Sequence, residues 1–118
     1  MLYPFQLEKH KSLYSQLSKS WRLVTHLGFL EYKKFIVNQL SPNEYVFRSC
    51  YACDYAKKHT EDDIDLCKHC PISLDNCNNS SSTFNRLMET VKIGDELAYI
   101  ELCNKVINSE VRPGVITT

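Results

Sequence analysis

The sequence predicts a mainly α-helical domain in which N-terminal helices pack on a C-terminal helical hairpin, with a loop-rich segment inserted between them. Apolar residues recur at spacings of three and four from residue 4 to residue 40 and again after residue 83, as on one face of an amphipathic helix. The stretch from residue 41 to residue 82 has few apolar residues and many turn formers. The 118 residues have the length of one domain, 1–118.

The N-terminal region, from about Pro4 to Leu40, is expected to form two helices or one long kinked helix. Proline is favourable at the start of a helix, and Gly28 is a natural break. The helical region ends before Pro42, because the residue that precedes a proline disfavours the helical conformation. The expected core face carries Leu13, Leu17, Trp21, Val24 and Leu27 before the glycine, and Phe29, Leu30, Tyr32, Phe35, Ile36 and Leu40 after it.

The C-terminal region is expected to form two helices joined at Gly94 and Asp95. Thr83 is a suitable N-cap for the first helix, Gly94 a suitable stop, and Asp95 a cap for the second. The tail that follows, "NSEVRPGVITT", is expected to be extended or frayed. The apolar face of the last helix is predicted to carry Leu97, Ile100, Cys103, Val106 and Ile107, with Leu102 beside it and Cys103 buried in the core.

Two C-x2-C pairs mark the middle of the chain. Cys50 pairs with Cys53 and Cys67 with Cys70, and thirteen residues separate the two pairs. In a C-x2-C turn two sulfurs can approach one ion while backbone amides point at them, and two such turns supply four thiolates to a tetrahedral zinc ion. The sequence therefore predicts a zinc knuckle over about residues 48–78.

Other readings of these cysteines remain open. Disulfides and a redox C-x2-C are less favoured, because no secretory signal precedes the pairs and no strand–helix pattern surrounds them. Cys77 is either a free thiol near the site or a substitute for one of the four ligands. His69 and His59 are alternative ligands, although we expect both to be surface residues.

A four-thiolate site has no open position for water, so such a zinc ion holds the fold and does not activate a nucleophile. The acidic run "EDDID", residues 61–65, is expected to be a solvated loop; the alternatives are a contact for a basic partner or a site for a hard cation. No acid is spaced with a histidine or serine as in a catalytic set. We therefore expect a protein that is not an enzyme, with a zinc enzyme as the third-ranked hypothesis.

Charge is balanced overall but unevenly distributed. Residues 1–60 carry nine Lys/Arg and four Asp/Glu, a net +5, whereas residues 61–118 carry five and ten, a net −5. The two halves either attract each other in the fold or give a basic face for an acidic partner. No apolar run approaches the length of a membrane span, and the first residues lack the layout of a signal peptide. We therefore expect a cytoplasmic protein without a membrane partner.

The order of these features resembles small cysteine-motif proteins encoded by bacteriophages and prophages. Those proteins show C-x2-C-E/D-Y followed by C-x2-C-P, matched here by "CYACDYA" with Asp54 and Tyr55, and by "CKHCPI" with Pro71. The tryptophan that often follows shortly after the proline in such proteins is absent here, where Ile72, Ser73 and Leu74 stand instead. The resemblance is firm over roughly the second half of the chain. It implies a phage setting, in the cytoplasm of an infected or lysogenic host, and a zinc knuckle, but no agreed activity.

Two functions follow as expectations. The first is a zinc-stabilised binding protein that contacts a host or phage protein and inhibits a host process. The second is a nucleic-acid-binding zinc module, disfavoured by the zero net charge. In that second reading the phosphates and bases contact Lys33, Lys34, Arg48, Lys57 and Lys58, with Tyr51 and Tyr55 as stacking residues.

Overall fold

The computed structural model describes residues 3–60, 69–72 and 83–118, and this part of the chain is mainly helical. The prediction of a mainly α fold is confirmed. No helix among these residues is both long and apolar enough to cross a bilayer. The helices are α1 (Leu7–Ser18), α2 (Trp21–Leu27), α3 (Phe29–Leu40), α4 (Tyr51–Lys58), α5 (Thr83–Ile93) and α6 (Glu96–Ile107).

The N-terminal region forms three helices where two, or one kinked helix, were predicted. The first begins at Leu7 and not near Pro4, because Phe5 pairs with the C-terminal tail: its N–H donates to the Ile116 carbonyl at 2.7 Å. The first helix ends at Ser18. There the Leu17 carbonyl accepts hydrogen bonds from the Tyr99 hydroxyl at 2.7 Å and from the Ser20 N–H at 3.2 Å. The predicted break at Gly28 is confirmed, at a φ of 94° that favours glycine. The predicted core face is wrong at Leu27, Leu30 and Phe35, whose side chains are 48%, 54% and 52% exposed.

The C-terminal helical hairpin is confirmed, with its turn at the predicted residues. Gly94 adopts a φ of 80°, and the Asp95 side chain accepts a hydrogen bond from the Ala98 N–H at 3.2 Å. The prediction that Leu97 belongs to the core face is wrong, because this first-turn side chain is 77% exposed. Tyr99, two residues later, is fully buried in its place.

The N-terminal helices pack on this hairpin as predicted. α1 lies against α6, α3 and α4, and α2 contacts α3 and α5. Aromatic rings join these layers: Trp21 lies 5.2 Å from Tyr99, and Phe29 lies 6.0 Å from Phe84, between ring centroids. Cys103 is buried in this core, as predicted. The tail pairs with the body of the protein through isolated β-bridges from Thr117 to Phe5 and from Val111 to Ile72.

Helix α4 is the element that sequence reasoning missed. It lies in the region predicted to be loop-rich, and it buries Tyr51, Ala52, Asp54 and Ala56. The sequence did carry a short signal for this helix. Two lysines occupy its last turn, where cations complement the helix dipole. Residues 61–68 and 73–82 lie outside the described residues, and with them Cys67, Cys77 and the acidic run.

Candidate metal centre

Cys50 is held at the N-terminus of α4. It has an extended backbone, with φ −141° and ψ 113°, and its sulfur accepts a hydrogen bond from the Cys53 N–H at 3.4 Å. The first N–H groups of a helix have no partner within the helix, so a thiolate at this position receives donors that would otherwise be unsatisfied. The first C-x2-C pair thus has the local geometry of a thiolate site, with a backbone amide aimed at the sulfur.

The surroundings of Cys50 favour its thiolate form. A hydrogen bond from the Cys53 side chain is the largest cause that lowers the pKa of Cys50, and the charge of Lys33 and the amides of Cys53 and Ala52 add to it. Burial acts in the opposite direction, and the net result is a pKa of about 5. The thiolate is the form that binds a metal, so Cys50 can act as a ligand at neutral pH without first losing a proton.

The turn before Cys50 adopts an unusual backbone. Arg48 and Ser49, in the short 3₁₀ turn Phe47–Ser49, have φ values of 55° and 50°. Side chains other than glycine rarely occupy this left-handed region, which costs roughly 1–2 kcal/mol per residue. Such a turn persists only where neighbouring groups hold it.

Asp54 is the group that holds the turn. Its carboxylate is buried, accepts a hydrogen bond from the Phe47 N–H at 3.0 Å, and pairs with the Lys58 ammonium at 2.9 Å. Lys58 also lies 3.7 Å from Glu44. Asp54 therefore ties the turn before Cys50 to α4 through one carboxylate oxygen, while its other oxygen pairs with Lys58 within the helix.

We expect Asp54→Ala to lower the free energy of unfolding by about 1–3 kcal/mol, the cost of leaving a buried donor unpaired. It should also weaken metal binding, because Cys50 follows the turn directly. Denaturant titration and a chelator competition measure the two effects. Asp95→Ala is the matched control: it removes a capping carboxylate far along the chain and should reduce stability without altering metal affinity. Equal effects of the two variants on metal affinity would contradict this role of Asp54.

The segment around Cys70 is anchored by the C-terminal tail. Cys70 is partly buried, and Pro71 and Ile72 after it are buried. The Pro71 carbonyl accepts a hydrogen bond from the Arg112 N–H at 2.8 Å, and Ile72 forms an antiparallel bridge with Val111. The buried Ile72 thus has a packing role.

The two histidines proposed as alternative ligands are exposed. His59 stacks on Tyr55 with 4.2 Å between ring centroids, and its Nε2 lies 3.0 Å from the Tyr3 carbonyl oxygen. Within residues 3–60, 69–72 and 83–118, no three His, Cys, Asp or Glu side chains form a ligand group. The predicted set includes Cys67, which lies outside these ranges, so the four-cysteine centre stays a prediction.

Lys33 is a buried cation that sequence reasoning placed on the surface. It is 1% exposed, and no salt bridge to it occurs among the described residues. Its ammonium lies over the rings of Phe84, Tyr14 and Phe29, at 4.8, 5.7 and 6.0 Å from their centroids. A desolvated cation–π contact contributes about 2 kcal/mol, whereas burying an ion costs several. The three rings together therefore offset a substantial part of the desolvation cost.

His10 is a second buried polar group that the sequence did not indicate. It is 2% exposed and packs against Phe5 and Tyr14, each 5.3 Å away between ring centroids. Neither ring nitrogen has a hydrogen-bond partner in the described structure. Burial first, and then the charges of Lys33 and Lys11, lower the pKa of His10 to about 4. The imidazole is therefore neutral at pH 7.

The residues proposed to bind nucleic acid do not form one exposed surface. Lys33 and Tyr51 are buried, and the Tyr51 hydroxyl lies 2.8 Å from the Ser41 hydroxyl. Lys58 is paired with carboxylates, and Tyr55 packs against Phe5. Arg48 and Lys57 do come together, over the ring of Phe47, and Lys34 is exposed on α3.

Comparison of the chain with protein-family models, with curated proteins and with solved structures finds no match. The candidate function therefore depends on the residues and geometry described above.

Proposed function

We propose that this protein is a zinc-stabilised binding module that is not an enzyme and acts by contact with another protein. Cys50, Cys53, Cys67 and Cys70 hold the zinc ion, which stabilises the fold. The arrangement of Cys50 supports this centre, since a helix N-terminus and a low pKa are what a thiolate ligand needs. A small helical body leaves its outer helix faces for the partner.

The observation that carries the protein-binding role is a pair of leucines on α2. Leu23 and Leu27 are one helical turn apart and are 47% and 48% exposed. Residues at this spacing lie side by side on a helix surface. Leu30, at the start of α3, is 54% exposed. Single exposed apolar residues are ordinary, but neighbouring leucines offer apolar contact area that a partner helix can cover. We call Leu23 and Leu27 the α2 leucine pair.

The resemblance to phage-encoded cysteine-motif proteins supplies the setting of this proposal. The partner is then a host or phage protein in the cytoplasm of an infected or lysogenic bacterium. Inhibition of a host process is the effect that such a contact most simply produces, because occupying a surface needs no catalytic group. The burial of Lys33 and Tyr51 reduces the support for the nucleic-acid alternative.

A photo-crosslinking amino acid at position 27 tests the proposal directly. Expressed in the bacterial host and irradiated, this variant should form a covalent adduct with one defined protein that survives nuclease treatment. Leu23→Ser should weaken the adduct about tenfold, because it removes half of the leucine pair and burying a leucine side chain contributes roughly 1.5–3 kcal/mol. The measurement is gel separation followed by mass spectrometry of the adduct.

The matched control places the same crosslinker at Leu97, which is 77% exposed but belongs to α6. It should give no such adduct. Adducts of equal yield at both positions would indicate non-specific apolar contact and contradict the proposed surface. Recovery that disappears with nuclease would favour the nucleic-acid alternative.

A further inference from the structure

The α2 leucine pair lies beside an arginine and a histidine on the same helix. Arg22 and His26 are exposed, and each comes one residue before a leucine of the pair. Consecutive residues of an α-helix are about 100° apart around its axis, and residues four apart lie on one face. Arg22 and His26 therefore form a second row along α2, parallel to the leucines. No acidic residue occurs in this helix.

On the other side of the leucines the helix surface turns into the protein. Val24 follows Leu23 directly and is fully buried. The leucine pair is thus bounded by the core on one side and by Arg22 and His26 on the other. A segment that covers the leucines meets basic side chains along one flank only.

The positive charge around α2 is not paired with acids of the described structure. Neither Arg22 nor Lys19, which is exposed just before α2, forms an ion pair within the part of the chain that the structure describes. Beyond the break at Gly28, the exposed Glu31 is followed three residues later by the exposed Lys34. The exposed side chains from Lys19 to Lys34 thus include three cations and one acid. Attraction between the two halves of the chain does not account for the cations at α2, whereas an acidic partner does.

We infer that the partner segment that covers the α2 leucine pair is an acidic amphipathic helix. Its apolar residues pack on Leu23 and Leu27, and its carboxylates lie along the one flank that faces Arg22. The inference deepens the proposed function and rests on it. Two leucines one turn apart match the spacing of the apolar anchors of a helix, and their burial supplies most of the affinity. The charges set the orientation of the helix, speed its association and disfavour basic segments.

The first test reads the chemistry of the partner segment directly. The crosslinking amino acid at position 27 is expressed in the host, and tandem mass spectrometry identifies the peptide that is joined to it. That peptide should carry more Asp and Glu than Lys and Arg, with acids recurring every three or four residues beside apolar positions. A peptide with an excess of Lys and Arg would overturn the inference. An adduct between two copies of this chain would also overturn it, because the inferred occupant is another protein.

The second test measures the contribution of Arg22. The full-length partner protein that the adduct identifies is purified and labelled, and its binding to this protein is followed by fluorescence anisotropy. Arg22→Glu should weaken binding about fivefold, because it replaces attraction with repulsion at the rim of the contact. Arg22→Lys, which keeps the charge, should bind almost as the wild type does. Raising the salt concentration from about 0.05 M to about 0.5 M should weaken the wild type more than Arg22→Glu.

Arg48→Glu is the matched control. It makes the same change of charge at another exposed arginine, in the turn Phe47–Ser49, which packs on α3 and α4. Its affinity for the partner should equal that of the wild type. Equal losses in Arg22→Glu and Arg48→Glu would assign the effect to the net charge of the protein and contradict a specific contact at α2.

The outcomes separate this inference from the proposed function. The absence of a nuclease-resistant adduct at position 27 would overturn both. Binding that is weakened by Leu23→Ser but unaffected by Arg22→Glu and by salt would overturn the acidic flank alone and leave the apolar contact standing. Arg22→Gln, which removes the charge without reversing it, provides the same comparison if Arg22→Glu lowers the melting temperature.

Discussion

Replacing Cys50 with serine is expected to lower the free energy of unfolding by several kcal/mol, by analogy with other structural zinc sites. In a closed four-thiolate site the metal contributes to folding, since the unfolded chain offers no preformed site. Cys67→Ser should have the same effect. Purified wild-type protein should contain one zinc ion per chain, and a chelator should reproduce the loss of stability. Denaturant titration followed by circular dichroism, together with elemental analysis, measures both.

The position of Cys50 at the start of α4 allows the change in unfolding free energy to distinguish a metal site from its absence. Cys50 is the N-cap of α4, and serine is among the best N-caps, so the substitution preserves the local helix signal. Without a metal, Cys50→Ser should therefore be neutral or slightly stabilising. With a metal, it removes a ligand and destabilises the whole fold. The two hypotheses therefore predict different changes in the free energy of unfolding: none or a small gain without a metal, and a loss of several kcal/mol with one.

Cys103→Ser is the matched control. Cys103 is fully buried on α6, and burial raises the pKa of its thiol to about 12, as expected for a core residue. Its replacement should cost about 1 kcal/mol, or somewhat more if the hydroxyl is left unpaired, and should leave the zinc content unchanged. A Cys50→Ser protein that keeps its helical content and melting temperature yet loses its partner would show that the metal serves contact, not the fold.

Acidification from pH 7 to pH 5 is expected to reduce stability by about 2 kcal/mol through His10 alone. The unfolded chain takes up a proton on this histidine near pH 6.5, whereas the folded chain resists it until about pH 4. The unfolded state therefore binds more protons in this range. The contribution of His10 to the free energy of unfolding is complete above pH 6.5 and is lost as the pH falls towards 4. The physical cause is the buried imidazole without hydrogen-bond partners, next to the charge of Lys33.

The variant His10→Leu isolates this effect. It removes the titrating group, so the difference in unfolding free energy between variant and wild type should grow by about 2 kcal/mol in favour of the variant from pH 7 to pH 5. Acid also protonates metal-binding thiolates, but both proteins share that loss and it cancels in the difference. Leu17→Ala, on the same helix, should change stability equally at both pH values. Parallel pH curves for His10→Leu and wild type would rule out the predicted titration.

Local sequence signals were sufficient wherever a structure depends on its own neighbours. The Gly94–Asp95 turn has the predicted positive φ and the predicted cap, because both are properties of a few adjacent residues. The break at Gly28 and the end of α3 before Pro42 follow for the same reason. Helix α4 was missed because eight residues give too short a pattern to stand out from a polar, cysteine-rich region.

Contacts between elements that are far apart in the sequence determined the features that local signals did not predict. The start of α1 moved to Leu7 because the tail, more than 100 residues away in the sequence, pairs with Phe5. Leu97 and Tyr99 have similar apolar character in a helix pattern, yet only the tyrosine meets α1, where its hydroxyl donates to the Leu17 carbonyl. No spacing rule within α6 contains that information.

The sequence by itself determined the hairpin turn and the placement of Cys50 and Cys53 in one C-x2-C turn, both of which depend on local spacing. It also contained the position of Lys33 on the buried face of α3, four residues after Phe29 and three before Ile36. Only the tertiary structure decided that this lysine is enclosed, because the rings of Tyr14 and Phe84 that cover it belong to α1 and α5. Burial results from the packing of several helices, so the enclosure of Lys33 cannot be predicted from the spacing of residues within α3 alone.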